Sequence, residues 1–191
     1  MKKQEFKEII IKDNFYQSSS FFPMPLTLIG TLNEDKTITS FGAYSLIFPY
    51  YIAGKKYYAM ILECRNTSNT AKGLLRHKKC TINFLPFSKK NFQNHVDLGF
   101  PGDTPEEKLK NLKFTPVDSL SQKLDKDHVY PKILEEAIQV FECTWDDSLE
   151  EAFNDKVLEE YEGPYHNFNG ITSKYGAHFI LKIDHILVKE K

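Results

Sequence analysis

Tyr57-Tyr58-Ala59-Met60-Ile61-Leu62-Glu63, then Cys64, then Arg65-Asn66-Thr67-Ser68-Asn69-Thr70, then Ala71 to His77: the reading of the chain turns on this passage. The first seven residues form an aromatic and apolar run of strand type. The last seven read as the body of a short helix, so the polar block between them falls at a helix start. Ser68 or Asn69 there caps the helix by accepting from its free N–H groups. Those same N–H groups carry partial positive charge and suit a phosphate, and Arg65 adds planar, permanently charged donors. The block alone leaves two readings open: a capped helix beside a solvated arginine, or an anion site.

Working outward, Leu26 to Leu32 and Thr37 to Thr39, parted by Asn33-Glu34-Asp35-Lys36, give a hairpin signal. Ala43 to Phe48 and Tyr57 to Glu63 are further strands, separated by Pro49 and by Gly54-Lys55-Lys56. Cys80 to Leu85 follows the short helix as a strand and ends at Pro86. Residues 87–136 are polar and lysine-rich, and read as a helical and loop elaboration laid over a β core. Within them, Thr104, Pro105 and Glu107 stand in capping-box order and predict a helix from Pro105 to Leu112. Asp118 to Asp127 reads as a surface loop, and Pro131 to Ala137 as a second short helix. Strand character returns from Ile138 to Trp145, where broken alternation places a bulge near Glu142. Ser148 and Glu151 predict a helix from Leu149 towards Tyr161. A loop carrying His166 to Gly170 then leads to a closing strand from His178 to Val188.

Many strands, few helices and a closing C-terminal strand predict a mainly β fold with inserted helices, a small antiparallel barrel. At 191 residues it fits a single domain, residues 1–191. The chain is 41% hydrophobic and 14% aromatic, enough for a packed interior. A net charge of -1 supplies no long-range field for nucleic acid, so no nucleic-acid partner is expected. Three scattered cysteines give no disulfide framework, and no apolar run reaches signal-peptide or membrane-spanning length. The expectation is a cytoplasmic protein with no membrane partner. No GxGxxG or GxxxxGK[ST] supports a doubly wound sheet.

Other chemistry is thinner. His77 and Cys80 have a ligand-like H-x-x-C spacing with no second pair, so no metal is expected. Ser45 and Cys143 lack a nucleophile elbow or any local signature of a catalytic triad. Glu142 is expected to face outward from its strand. The pairs Tyr50-Tyr51 and Tyr57-Tyr58 read as sheet-face packing.

Four segments in order resemble the flavin reductase-like, FMN-binding split-barrel family, which includes the flavoredoxins. They are the β run after Pro23-Met24-Pro25, Ser40 to Leu46, Arg65 to Thr70, and Cys80 to Pro86. The resemblance extends to the Phe141-Glu142-Cys143-Thr144 strand and the terminal strand, and so covers most of the chain. It implies a split antiparallel β-barrel that holds FMN at a cleft of a homodimer. By position, Ala43, Tyr44 and Ser45 would lie along the isoalloxazine and ribityl chain, and Thr27 would approach the ring. Arg65, Thr67, Ser68, Asn69 and Thr70 would hold the phosphate. Ser40 stands where many members carry Asn. The implied activity is oxidoreduction with a small-molecule electron donor such as NAD(P)H, and no catalytic side chain is named. The alternatives are a non-catalytic flavin-binding or flavin-storage protein, or a relative that handles a pyridoxal-phosphate-type cofactor or haem.

Overall fold

One long antiparallel sheet organises the protein. The structure, a computed structural model, describes residues 26–44, 47–52, 55–65, 67–99, 103–124, 127, 129–147 and 177–189. The strands among them are β1 (Leu26–Leu32), β2 (Thr39–Tyr44), β3 (Ile47–Ile52), β4 (Tyr57–Cys64), β5 (Lys79–Leu85), β8 (Gln139–Trp145) and β9 (Ala177–Val188), with a small separate ribbon of β6 (Pro116–Val117) and β7 (Ile133–Leu134). The helices are α1 (Asn69–His77), α2 (Lys89–Leu98), α3 (Pro105–Asn111) and α4 (Leu120–Leu124). The large sheet has the order β2-β1-β5-β8-β9-β4-β3, antiparallel throughout.

The two edges of this sheet, β2 and β3, are consecutive in the chain. Flat, seven strands would set the edges ~29 Å apart. The three Cα steps from Tyr44 to Ile47 reach at most ~11 Å. The sheet therefore has to curl until its edges approach, which is the expected split antiparallel barrel. Among the described residues no hydrogen-bonded ladder joins β2 to β3, so the sheet is not closed. The strand expected over Ala43 to Phe48 is in fact the end of one edge and the start of the other. Pro49 lies inside β3 rather than ending a strand, and an edge strand tolerates its missing N–H.

Alternation along the strands sends neighbours to opposite faces. Ile29 joins Leu62, Leu74, Ile82, Phe179 and Leu181 in one core, where Trp145 meets Phe179 edge-on with ring centroids 5.2 Å apart. Its neighbour Leu28 joins Phe41, Leu98, Phe114, Leu134 and Val140 in another. The inserted segment 87–136 thus supplies the cover for the second core. Its capping box forms as expected: Thr104 Oγ1 accepts from Glu107 N at 3.2 Å, and Glu107 Oε2 accepts from Thr104 N at 2.8 Å. Three features of the segment differ from expectation. Helix α2 occupies a stretch given no structure, α4 lies in the expected loop, and Pro131 to Ala137 contains strand β7 in place of a helix. The predicted helix after Ser148, the loop at 166–170 and Ser45 lie outside the described residues.

The bulge near Glu142 is present. Glu142 pairs with His185 and Cys143 with Ile183, so Asp184 is the extra residue, on β9. The bulge lets Asp184 join a polar cluster. The hydroxyls of Tyr130 and Thr144 donate to Asp184 Oδ2, and Lys79 and Lys182 lie 3.8 and 3.4 Å from its carboxylate. Burial opposes ionisation there, but the Thr144 and Tyr130 hydrogen bonds and the two ammonium groups hold the Asp184 pKa below its ordinary value. Glu142 is not outward-facing: it is fully buried, with Oε2 3.1 Å from His185 Nδ1. Of the paired tyrosines, Tyr51 and Tyr58 pack on a sheet face with ring centroids 4.9 Å apart, while the Tyr57 hydroxyl donates to Asp146 Oδ2.

Candidate functional site

The start of α1 forms as the polar block predicts. Ser68 is the N-cap in extended backbone, and its Oγ accepts from Ala71 N at 3.1 Å. The first turn carries no acidic residue, whereas α3 places Glu106 and Glu107 at its own start. The partial positive charge at the head of α1 is therefore not offset from within the helix.

This helix start faces a pocket of about 340 Å³ at the end of edge strand β2. Seven of the nine nominated residues line it: Ala43, Tyr44, Arg65, Thr67, Ser68, Asn69 and Thr70. Thr27 does not. It is fully buried, and its hydroxyl donates to the Tyr44 carbonyl, so it staples β1 to the end of β2 behind the pocket. Because β2 is an edge, alternate backbone groups of this strand lie outside any ladder and are open to a ligand.

Close packing holds the floor in place. A Cβ at Gly42 would fall 2.7 Å from Tyr44 Cε2 and 2.8 Å from Thr70 Oγ1, so only glycine allows β2, the Tyr44 ring and the head of α1 to meet. Burial pushes the Tyr44 phenol well above its ordinary pKa, with Cys64 adding to the shift against hydrogen bonds to Thr70 and Ser68. The phenol therefore stays protonated. Burial likewise pushes the Cys64 thiol up to about 12, leaving it an inert packing group. His77, the candidate ligand beside Cys80, places Nε2 2.8 Å from the Asn33 carbonyl.

The elaboration builds the opposite wall. Leu98, Gly99, Asp103 and Lys108 line the pocket, with Lys72 from α1. Asn69 Nδ2 donates to the Asp103 carbonyl at 2.9 Å and ties the head of α1 to this wall. His95 of α2 lies behind it, with Nε2 3.0 Å from the Thr27 carbonyl. A carbonyl only accepts, so Nε2 carries the proton. Burial lowers the His95 pKa, against hydrogen bonds to Thr27 and Tyr44, and the ring is held neutral. Sequence reasoning missed Lys72, Asp103 and Lys108: one lay unmarked in the helix body, and the others belonged to a stretch with no signal linking it to the block. The lining holds three cations, Arg65, Lys72 and Lys108, against one carboxylate, Asp103. That excess, with the Thr67, Ser68 and Thr70 hydroxyls and the free N–H groups of α1, suits a dianion.

No family model matches this chain, and no curated protein matches its sequence. Solved structures do match in shape. Flavoredoxin of Desulfovibrio vulgaris (Miyazaki F) is 18% identical with a TM-score of 0.59, over 88% of this chain and 72% of its own. Nitrilotriacetate monooxygenase component B from Bacillus cereus is 14% identical with a TM-score of 0.62, over 100% and 82%. The styrene monooxygenase flavin reductase of Pseudomonas putida S12 is 9% identical with a TM-score of 0.57, over 93% and 87%. Curled sheet, site-bearing edge strand and these matches together give the chain the split-barrel fold of the flavin reductases and flavoredoxins.

Proposed function

We propose that this chain is a flavin reductase-like oxidoreductase whose flavin is FMN, with the phosphate at the head of α1. The observation that carries the reading is the convergence of Arg65, Thr67, Ser68, Asn69 and Thr70 with Ala43 and Tyr44 on one pocket of positive charge. A phosphomonoester carries about two negative charges at neutral pH. The excess of two cations in the lining answers it. Asn69 N and Thr70 N lie in the first turn, beyond the hydrogen bonds that Ala71 and Lys72 make to Ser68, and are placed to donate to phosphate oxygens. Ala43 presents a small side chain and an edge-strand backbone to the flat ring. Thr27 acts from behind, by fixing the Tyr44 carbonyl.

Bound FMN supplies hydride and electron transfer. The chain's residues bind it, orient its ring against β2 and keep water from one side. No side chain is assigned to proton transfer, since Tyr44 and Cys64 both stay protonated. The reading extends to a homodimer whose second copy completes the cleft, to NAD(P)H as electron donor, and to a cytoplasmic location. No helix among the described residues is long and apolar enough to cross a membrane. Nothing in the geometry favours flavin storage without turnover.

Titration of the purified protein with FMN, followed by flavin absorbance and fluorescence, tests the reading. Saturable binding with NAD(P)H oxidation is expected, and the absence of any binding overturns it. Arg65 is exposed and forms no ion pair among the described residues, so Arg65→Ala is expected to weaken FMN binding by about 1.5 kcal/mol, the low end for a charge-assisted hydrogen bond. Binding without NAD(P)H oxidation would favour storage. Sedimentation at micromolar concentration checks the dimer.

A further inference from the structure

We propose that Lys108 is a phosphate-binding cation of this pocket, and that it makes the site select a phosphorylated flavin over free riboflavin. The inference rests on the flavin reading above and adds to it a residue from the inserted segment. Lys108 is 8% exposed, whereas Arg65 and Lys72 on the same lining are exposed. A buried ammonium is rare without a charged or strongly polar counterpart, because its desolvation is costly. Here Nζ donates to the Leu98 carbonyl at 2.6 Å and stands 3.5 Å from Asp103 Oδ2, the separation of a loose ion pair.

These contacts hold the ammonium between two residues that, like Lys108 itself, line the pocket. The Leu98 carbonyl lies at the end of α2, where partial negative charge attracts a cation. Asp103, at the same wall, is bonded through its carbonyl to Asn69, the first residue of α1. Lys108, Asp103 and the head of α1 are thereby held together on one lining. A phosphate seated on the N–H groups of α1 would bring its oxygens to this wall and share Lys108 with Asp103. Burial also separates the roles of the cations. Exposed Arg65 and Lys72 draw the anion in through a field that salt screens, and Lys108 acts where screening is weak.

The test compares FMN with riboflavin, which lacks only the phosphate, by fluorescence titration of wild-type protein, Lys108→Gln and Lys108→Arg. Gln keeps a donor for the Leu98 carbonyl and removes the charge, and Arg keeps the charge. The preference for FMN over riboflavin is expected to fall about 10- to 100-fold in Lys108→Gln. Riboflavin affinity should hold, and Lys108→Arg should recover most of the preference. The loss in Lys108→Gln should persist at 0.5 M salt. An unchanged preference in Lys108→Gln, or equal losses of FMN and riboflavin affinity, overturns the proposal and makes Lys108 structural. Failure of the wild-type protein to bind either flavin overturns the flavin reading itself, a distinct result.

Discussion

A methyl group at residue 73 sets two effects against each other. Gly73 lies inside α1, where Ala in place of Gly favours the helix by about 1 kcal/mol. Yet its Cβ would meet Thr31 Cβ at 2.7 Å and the Leu32 carbonyl oxygen at 2.9 Å, both on β1. Strand backbone and a Cβ fixed to it cannot yield as the far end of a flexible side chain can, so the clash wins. Gly73→Ala is expected to destabilise the protein by about 1 to 3 kcal/mol, read as a lower urea midpoint with unchanged slope. It should also weaken FMN binding, because α1 must lift off the strand that backs it. An unchanged midpoint would mean that the helix sits farther from β1 than the close approach requires.

Among the elements, α2 depends on a neutral imidazole. His95 has a folded-state pKa below the ordinary 6.5, so below that value the unfolded chain takes up the proton more readily. Stability from this group is complete above about pH 6.5 and is lost as pH falls towards the lowered value. Urea unfolding between pH 7.5 and 5 should show a steeper loss for wild type than for His95→Gln, which keeps a donor for the Thr27 carbonyl and does not titrate. Parallel profiles would remove His95 as the cause. The same helix shows why part of the fold was illegible in sequence. Its buried residues are His95 and Leu98, while Phe92 and Val96 are exposed, so its apolar pattern points away from the core. Helices α1 and α3 were legible because Ser68 and Thr104 announce them locally. Strand β7 was not, because its pairing with β6 and the bond from Leu134 N to Asn83 Oδ1 are set by distant residues. The site divides likewise: the contiguous Arg65 to Thr70 block could be read, while Lys108, 38 positions beyond Thr70, depended on how the insertion folds.

At the scale of the whole molecule, the strand order controls assembly. Strand β9 follows every other described strand in the chain, yet it lies between β8 and β4 and pairs with both. Without it the strand pairing falls into β2-β1-β5-β8 and the hairpin β3-β4, with no ladder between them. Its Phe179 and Leu181 are also fully buried in one of the two cores. Truncation before Ala177 is therefore expected to abolish cooperative unfolding and flavin binding, as followed by circular dichroism and FMN titration. A soluble truncated chain with a sharp transition would show that the two parts hold together unaided.

This arrangement has a consequence for how the protein is made. On the ribosome, the piece that joins the two parts emerges after both have appeared. For that interval the nascent chain presents the bare edges of β8 and β4, each a template for pairing with another chain. Cellular yield should then follow how long translation dwells over residues 146–189, and slowing the ribosome there should raise the share of product that aggregates.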